Sequence, residues 1–128
     1  MSKPTVNIVG GGLAGSECAY QLAKRGVRVR LFEMRPTAKT PAHQTGNLAE
    51  LVCSNTFKSL ASHAAPGILK EELRALGSAQ LTAAEVARVP AGEALAVDRE
   101  VFSREIERLL LETGNVERVD ARIESIES

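Results

Sequence analysis

Residues 6–15 read Val6-Asn7-Ile8-Val9-Gly10-Gly11-Gly12-Leu13-Ala14-Gly15. The β-branched run that opens this stretch is typical of a buried strand that ends at the glycines. Over residues 13–24 the apolar side chains recur at four-residue spacing, which predicts a helix that Gly26 ends. This spacing places Ala14, Cys18 and Leu22 on the face of the helix that turns towards the sheet.

A second strand is predicted over residues 27–32, just before Glu33. Strand, glycine turn, helix and strand within about thirty residues predict a βαβ unit. The turn matches the G-x-G-x-x-G dinucleotide fingerprint, and this context makes the match specific. Gly10 permits the tight turn, Gly12 lets a pyrophosphate approach the backbone, and Gly15 allows the helix to pack closely on the strand.

The ligand predicted for this turn is a dinucleotide, held by the free N–H groups at the start of the helix. Glu33 can accept hydrogen bonds from ribose hydroxyls, and an acidic residue there disfavours the 2′-phosphate of NADP. The spacing does not separate FAD from NAD. A glycine-rich turn that binds nothing is the alternative.

A partly helical segment, over about residues 46–112, is predicted to separate the second strand from a third. Residues 34–45 have the composition of a loop, and helices are predicted over 48–52 and over 68–76. The apolar stripe of the second of these helices consists of Ile68, Leu69, Leu73 and Leu76.

The last part of the chain predicts one more helix and one more strand. Asp98 is the expected N-cap of a helix that ends near Leu111, and residues 116–126 alternate as a third strand. Residues 80–97 fit no element. The predicted fold class is α/β, with a Rossmann-like βαβ unit in an incomplete doubly wound parallel sheet. Because such a sheet normally has five or six strands, we expect residues 1–128 to be the N-terminal part of a dinucleotide-binding domain.

Composition bears on several classes of function without forbidding a local basic patch. The 128 residues carry 16 Lys+Arg and 16 Asp+Glu, so the net charge gives no electrostatic argument for nucleic acid. No apolar run approaches the roughly 20 residues that span a bilayer, and the N-terminus lacks the apolar core of a secretory signal. We therefore expect a cytoplasmic protein without membrane contact.

The cysteines and histidines show no spacing of metal ligands, so no metal site is expected. Cys18 is interpreted as a core residue of the first helix. Two interpretations stay open for Cys53, a buried structural thiol and a nucleophile, because it ends an apolar segment at a polar turn.

Several longer blocks of sequence follow one another along the chain. They include Glu33-Met34-Arg35-Pro36, Ala49-Glu50-Leu51-Val52-Cys53-Ser54-Asn55, Leu69-Lys70-Glu71-Glu72-Leu73-Arg74 and Ala94-Leu95-Ala96-Val97-Asp98-Arg99-Glu100. In content and order these blocks resemble the folate-dependent tRNA (uracil-5-)-methyltransferases, the TrmFO family.

The resemblance implies a flavoenzyme whose N-terminal βαβ unit binds FAD. The residues implied in FAD binding are Gly10, Gly11, Gly12, Leu13, Ala14, Gly15, Glu33, Met34 and Arg35. Methylenetetrahydrofolate would donate a one-carbon unit to C5 of a uridine in the tRNA T-loop. NAD(P)H would reduce the flavin, whose electrons then turn the methylene into a methyl group.

The family's cysteine falls on Cys53, for which the resemblance implies a place near the flavin. The resemblance puts a covalent role on an equal footing with a structural one. Uracil C5 becomes nucleophilic after addition at C6, and a thiolate is the usual side chain for that addition. A base must then remove the C5 proton, and no residue is assigned to this role. His43 is the nearest candidate, and the alternative is that it is only a surface residue of the loop. Gly11 stands where the family usually has alanine, and the turn is expected to tolerate this replacement by glycine.

Two alternatives remain. A GidA/MnmG-like flavoprotein that modifies the tRNA wobble uridine shares the glycine turn, but its blocks after the second strand differ. A non-catalytic module that binds FAD or NAD would leave the block around Cys53 unexplained. Because members of the resembling family run to several hundred residues, we expect 128 residues to be inactive alone.

Overall fold

The computed structural model describes residues 3–38 and 40–127, so Lys39 in the predicted loop lies outside the described residues. In chain order the elements are β1 (Thr5–Val9), α1 (Leu13–Lys24), β2 (Arg28–Glu33), β3 (Thr56–Ser59), α2 (Ala65–Ala75), α3 (Ala79–Ala87), β4 (Arg88–Val89), β5 (Ala94–Val97), α4 (Arg99–Glu112) and β6 (Val116–Asp120). Among the helices of the described residues, none combines the length and the apolar character needed to cross a membrane.

The main sheet consists of three parallel strands in the order β1-β2-β6. Val9 pairs with Phe32 and Glu33 pairs with Asp120, so the carboxyl ends of all three strands meet at one edge. The βαβ unit and the α/β class are therefore confirmed. Gly26 adopts a φ of 84°, which ends α1 and turns the chain into β2.

The first strand is more exposed than its sequence predicts. Among the described residues β1 pairs only with β2, and its residues alternate between exposed and half-buried, with Val9 57% exposed. The central strand is β2, where Val29 and Leu31 are almost fully buried. The prediction of a buried first strand is wrong because a β-branched run does not reveal its place in the strand order.

Helix α1 has its predicted bounds but buries a different face. Its buried residues are Ser16, Ala19 and Ala23, whereas Cys18 is exposed. The core role predicted for Cys18 is therefore wrong. Small side chains let the helix lie close to the sheet, so its buried face is not the face that carries the larger apolar residues.

The segment between β2 and β6 contains a second sheet that the sequence does not predict. Its strands pair antiparallel in the order β3-β5-β4. The helix predicted over residues 48–52 is wrong, because these residues form a turn followed by irregular chain and Ala49 has a φ of 52°. Residues 80–97, which fit no predicted element, fold into most of α3, β4 and β5. Strands of two and four residues are too short for periodicity to indicate them.

Helix α2 is present, but its predicted apolar stripe faces largely outwards. Ile68, Leu69 and Leu76 are 45%, 54% and 72% exposed, while Lys70 is buried. The Lys70 ammonium donates hydrogen bonds to the carbonyls of Ser59 and Pro66 at 2.9 and 3.1 Å. A polar contact therefore fixes this helix to the end of β3.

Helix α4 contributes several large side chains to the core. Phe102 and Ile106 are almost fully buried, and the Phe102 ring packs 5.3 Å from that of Phe57. The predicted N-cap is confirmed, because the Asp98 carboxylate accepts the Val101 N–H at 2.9 Å. The third parallel strand is also confirmed, although β6 ends at Asp120 and not at residue 126.

Replacing the N-cap tests how much α4 depends on it. Asp98→Ala removes the acceptor of the Val101 N–H and is expected to lower the free energy of unfolding by about 1 kcal/mol. Asp98→Asn keeps an acceptor and should stay within about 0.5 kcal/mol of the wild type. Urea denaturation followed by circular dichroism measures both, and equal losses in the two variants would contradict a capping role.

Candidate dinucleotide site

The glycine turn joins β1 to α1 at the edge where the parallel strands end. Gly10 has a φ of 100°, and its N–H donates to the Phe32 carbonyl at 2.8 Å. Gly12 is the N-cap of α1 and provides no side-chain cap. The N–H groups of residues 13–15 therefore have no partner within the helix, and they carry the positive end of its dipole.

The glycines of the turn differ in what surrounds them. A Cβ added at Gly10 or Gly12 would meet nothing within 4 Å, so open space lies over both. A Cβ added at Gly15 would overlap the Gly10 carbonyl, so the helix passes too close to the turn for any side chain. As the fingerprint predicts, Gly12 leaves space for a ligand to approach the backbone, and Gly15 allows the helix to pack closely on the turn.

Gly11 is buried and connects the turn to the rest of the site. Its N–H donates to Glu33 Oε2 at 2.9 Å, and its carbonyl accepts the Ala49 N–H at 2.8 Å. A Cβ at this position would overlap the Leu48 side chain and lie 2.8 Å from Glu33 Oε2. Glycine at position 11 therefore leaves room for the Leu48 side chain, which would have to shift if alanine stood here.

Glu33 is almost fully buried, at 4% exposure, and both carboxylate oxygens are bonded within the protein. Oε2 accepts from Gly11 and from Arg35 Nη2 at 3.0 Å, while Oε1 accepts from the Arg35 N–H and Nε at 3.2 and 3.1 Å. These four donors fill the acceptor positions that the sequence assigns to ribose hydroxyls.

The bonds of Glu33 outweigh the effect of its burial on acidity. Burial alone would raise the pKa of this carboxyl, but the hydrogen bonds and charge of Arg35 and the Gly11 N–H lower the pKa to about 2. Glu33 is therefore a carboxylate throughout the physiological range. In turn, its hydrogen bonds raise the pKa of Arg35.

Arg35 links Glu33 to a second carboxylate. Arg35 is 2% exposed, and its Nη1 donates to Glu50 Oε2 at 2.9 Å. Glu50 Oε1 also accepts the N–H groups of Gln44 and Thr45 at 3.1 and 2.8 Å. Burial acts to raise the pKa of Glu50, but these N–H groups and Arg35 have the larger effect, so the pKa lies below its usual value. We call the set Glu33, Arg35 and Glu50 the carboxylate–arginine network.

A cleft of about 290 Å³ opens beside the turn. Its walls are the three glycines at 10–12, the end of β2 with residues 33–35, and residues 121–123 just beyond β6. His43 also lines the cleft, with its Nδ1 2.8 Å from the Thr40 hydroxyl. The structure thus brings the predicted turn together with Glu33, Met34 and Arg35, and Leu13, Ala14 and Gly15 form the adjoining start of α1.

Two groups of residues at this site are missed by the sequence analysis. Residues 121–123 follow a strand whose carboxyl end lies at the ligand edge of a parallel sheet, and this position is the signal that could have indicated them. No periodicity indicates that Leu48 packs on Gly11, because residues 48–51 belong to no regular element.

Cys53 lies on the surface, outside the residues that line the cleft. The side chain is exposed, so the interpretation as a buried structural thiol is wrong. The chain leaves the interior over three residues, from Leu51 at 8% exposure through Val52 at 43%. Within the described ranges, no three His, Cys, Asp or Glu residues are grouped as metal ligands.

A family model described as Glucose inhibited division protein A matches residues 5–128. The chain belongs to this family. Its relatives include proteins named methylenetetrahydrofolate–tRNA-(uracil-5-)-methyltransferase TrmFO, which confirms the resemblance found in the sequence blocks.

Three of these relatives show the extent of the match. The Dictyoglomus turgidum protein is 60% identical over 87% of this chain and 25% of its own length. The Thermotoga maritima protein is 57% identical over 88% of this chain and 26% of its own length. The Staphylococcus carnosus protein is 54% identical over 98% of this chain and 29% of its own length. The chain therefore spans between a quarter and a third of the length of these relatives.

Two solved structures resemble the fold. Thermovibrio ammonificans THI4 aligns with a TM-score of 0.51 at 20% identity, covering 91% of this chain and 38% of that one. A mutant of MHPCO aligns with a TM-score of 0.52 at 14% identity, covering 91% of this chain and 32% of that one. These likenesses concern the α/β fold.

The low pKa of Glu33 predicts a specific acid sensitivity. A carboxyl whose pKa falls from 4.5 to about 2 on folding stabilises the native state above pH 4.5, and this contribution is lost as pH falls towards 2. The loss amounts to on the order of 3 kcal/mol. Glu33→Gln should lower stability at pH 7 and flatten this part of the pH profile.

Denaturation by urea at a series of pH values measures both profiles. Glu17 and Glu50 also have lowered pKa values. The difference between wild type and Glu33→Gln removes the contribution of Glu17 and reports Glu33 together with its coupling to Glu50 through the shared Arg35. Parallel profiles for the two proteins would contradict the role given to this carboxylate.

Proposed function

We propose that this chain is the FAD-binding N-terminal part of a folate- and FAD-dependent tRNA (uracil-5-)-methyltransferase. The observation that carries the proposal is the open glycine turn at an uncapped helix start, in a chain 51–60% identical to proteins named TrmFO. An open turn of this kind admits a pyrophosphate to backbone N–H groups.

The residues of the cleft fit a dinucleotide. Gly10 and Gly12 leave space for the phosphates, and the N–H groups at the start of α1 would hold them. Glu33, Met34 and Arg35 would form the wall beside the adenosine ribose. Because Glu33 already accepts four protein hydrogen bonds, we assign it to holding Gly11 and Arg35 in place.

Cys53 has the exposure that a nucleophile requires. When bound and reduced by NAD(P)H, FAD supplies the electrons that convert the methylene from methylenetetrahydrofolate into the methyl group. The Cys53 thiolate would add to uracil C6 and so make C5 of the T-loop uridine nucleophilic. Exposure lets a nucleotide within a large tRNA reach this sulfur.

The identity of the relatives supports this proposal over the wobble-uridine alternative. The matching family model carries the name of that alternative, but the relatives at 51–60% identity are named TrmFO. The sequence block that ends at Cys53 agrees with the same choice. The proposal places the enzyme in the cytoplasm, where tRNA and reduced nicotinamides are available.

Gly12→Ala tests the turn as a cofactor site. The new Cβ meets no protein atom within 4 Å and Gly12 has a φ of −75°, so the fold should tolerate it. The methyl group would stand in the space assigned to the phosphates, so FAD affinity should fall at least about tenfold. Flavin fluorescence titration measures this loss.

Gly46→Ala is the matched control. A Cβ at Gly46 would make only ordinary contacts with Pro36, the nearest at 3.5 Å. This variant should bind FAD as the wild type does. Unchanged FAD affinity in Gly12→Ala would contradict the assignment of the phosphates to this turn.

Cys53→Ala tests the chemistry in the full-length enzyme. If the thiolate adds to C6, folate-dependent methylation of the T-loop uridine should fall by at least about 100-fold while FAD binding is retained. Cys18→Ala removes the other exposed thiol and should keep activity. Methylation by Cys53→Ala at the wild-type rate would exclude a covalent role, and folate-independent activity of the wild type would exclude the proposed reaction.

A further inference from the structure

The carboxylate–arginine network forms a continuous path from the glycine turn to the segment that carries Cys53. Gly11 donates to Glu33, Arg35 bonds both carboxylates, and Glu50 accepts from the backbone at residues 44 and 45. Each step is a direct hydrogen bond to a charged group, the stronger class of such bonds.

A second connection reaches the same segment through its backbone. The Ala49 N–H donates to the Gly11 carbonyl, and the Leu48 side chain packs on Gly11. Leu48 and Ala49 are 3% and 0% exposed, and Leu51 is 8% exposed. Residues 48–51 are therefore anchored on the turn, and the chain becomes exposed immediately after them.

Cys53 lies between two residues that hydrogen bonds hold in place, Glu50 before it and Asn55 after it. On its far side the Asn55 carbonyl accepts the Val97 N–H at 2.9 Å, and the Asn55 amide donates to the Val97 carbonyl at 3.2 Å. On its near side lies Glu50, three residues before Cys53. A change at Glu50 therefore acts on one side of Cys53 and leaves the contacts to β5 in place.

We propose that Glu50 is a positioning residue that ties Cys53 to the glycine turn, so that occupation of the turn by FAD also orders the segment 44–53. The inference rests on the proposed function for the identity of the ligand. Glu50 does this through charge, because it is the second carboxylate of the buried Arg35 and the acceptor for two N–H groups. Neutralising it leaves the guanidinium with Glu33 alone.

Glu50→Gln removes the charge at nearly constant shape, and Glu17→Gln is its matched control. Glu17 is also a partly buried carboxylate that accepts two backbone N–H groups, but it bonds to Ala79 and Gln80 at the start of α3. The test uses the full-length protein with and without FAD. Iodoacetamide labelling, resolved by peptide mass spectrometry, gives the reaction rate at Cys53 with exposed Cys18 as the internal reference.

In the wild type we expect FAD to slow labelling of Cys53 at least about threefold relative to Cys18. Glu17→Gln should show the same protection. Glu50→Gln should still bind FAD, within about fivefold of the wild-type affinity, yet lose most of the protection at Cys53. Glu50→Asp keeps the charge on a shorter side chain. The protection of Cys53 in this variant should lie between that in the wild type and that in Glu50→Gln.

Full protection in Glu50→Gln would overturn the proposal, and so would a wild type that binds FAD without protecting Cys53. In both cases the FAD site itself would stand. A wild type that binds no FAD would overturn the proposed function instead. Hydrogen exchange without ligand then decides the inference: Glu50→Gln, unlike Glu17→Gln, should speed exchange at Gly11 at least about threefold, and unchanged exchange would refute it.

Discussion

The buried carboxylate of Glu33 holds together two parts of the chain that local sequence does not connect. It accepts the Gly11 N–H from the glycine turn and three donors from Arg35, which carries the connection to Glu50. A charge at 4% exposure is stable only if it is paired and fully hydrogen-bonded, and here both conditions are met. The geometry of the turn and the course of the loop after β2 therefore depend on the same ionised group.

The part of the fold that follows from short-range rules was predictable. Strand, glycine turn, helix and strand have signals within a few residues, and Asp98 caps α4 as its position indicates. The faces that elements bury were not predictable in the same way. Cys18, Ile68 and Leu69 lie outwards because burial depends on which element packs on which. Lys70 fixes α2 to β3 through a hydrogen bond to the Ser59 carbonyl, a contact that no apolar pattern reveals.

In the candidate site, too, the features set by short-range rules were predictable and those set by tertiary packing were not. The glycines and Glu33 were found from spacing, because the fingerprint reflects steric limits at fixed positions. The bonds of Glu33 were not foreseen, since its donors come from Gly11, 22 positions earlier, and from a side chain that folds back from Arg35. The role of Leu48 depends on a turn with Ala49 in the left-handed region, a backbone conformation that this residue type does not indicate.

The central claim is that the cleft beside the glycine turn binds FAD. The most direct measurement is titration of the purified protein with FAD and, separately, with NAD, followed by flavin absorbance and fluorescence and by calorimetry. A saturable change with FAD at one site per chain, preferred over NAD, is the result predicted here. A folded protein that gives no saturable FAD signal, or that binds NAD in preference, would contradict it.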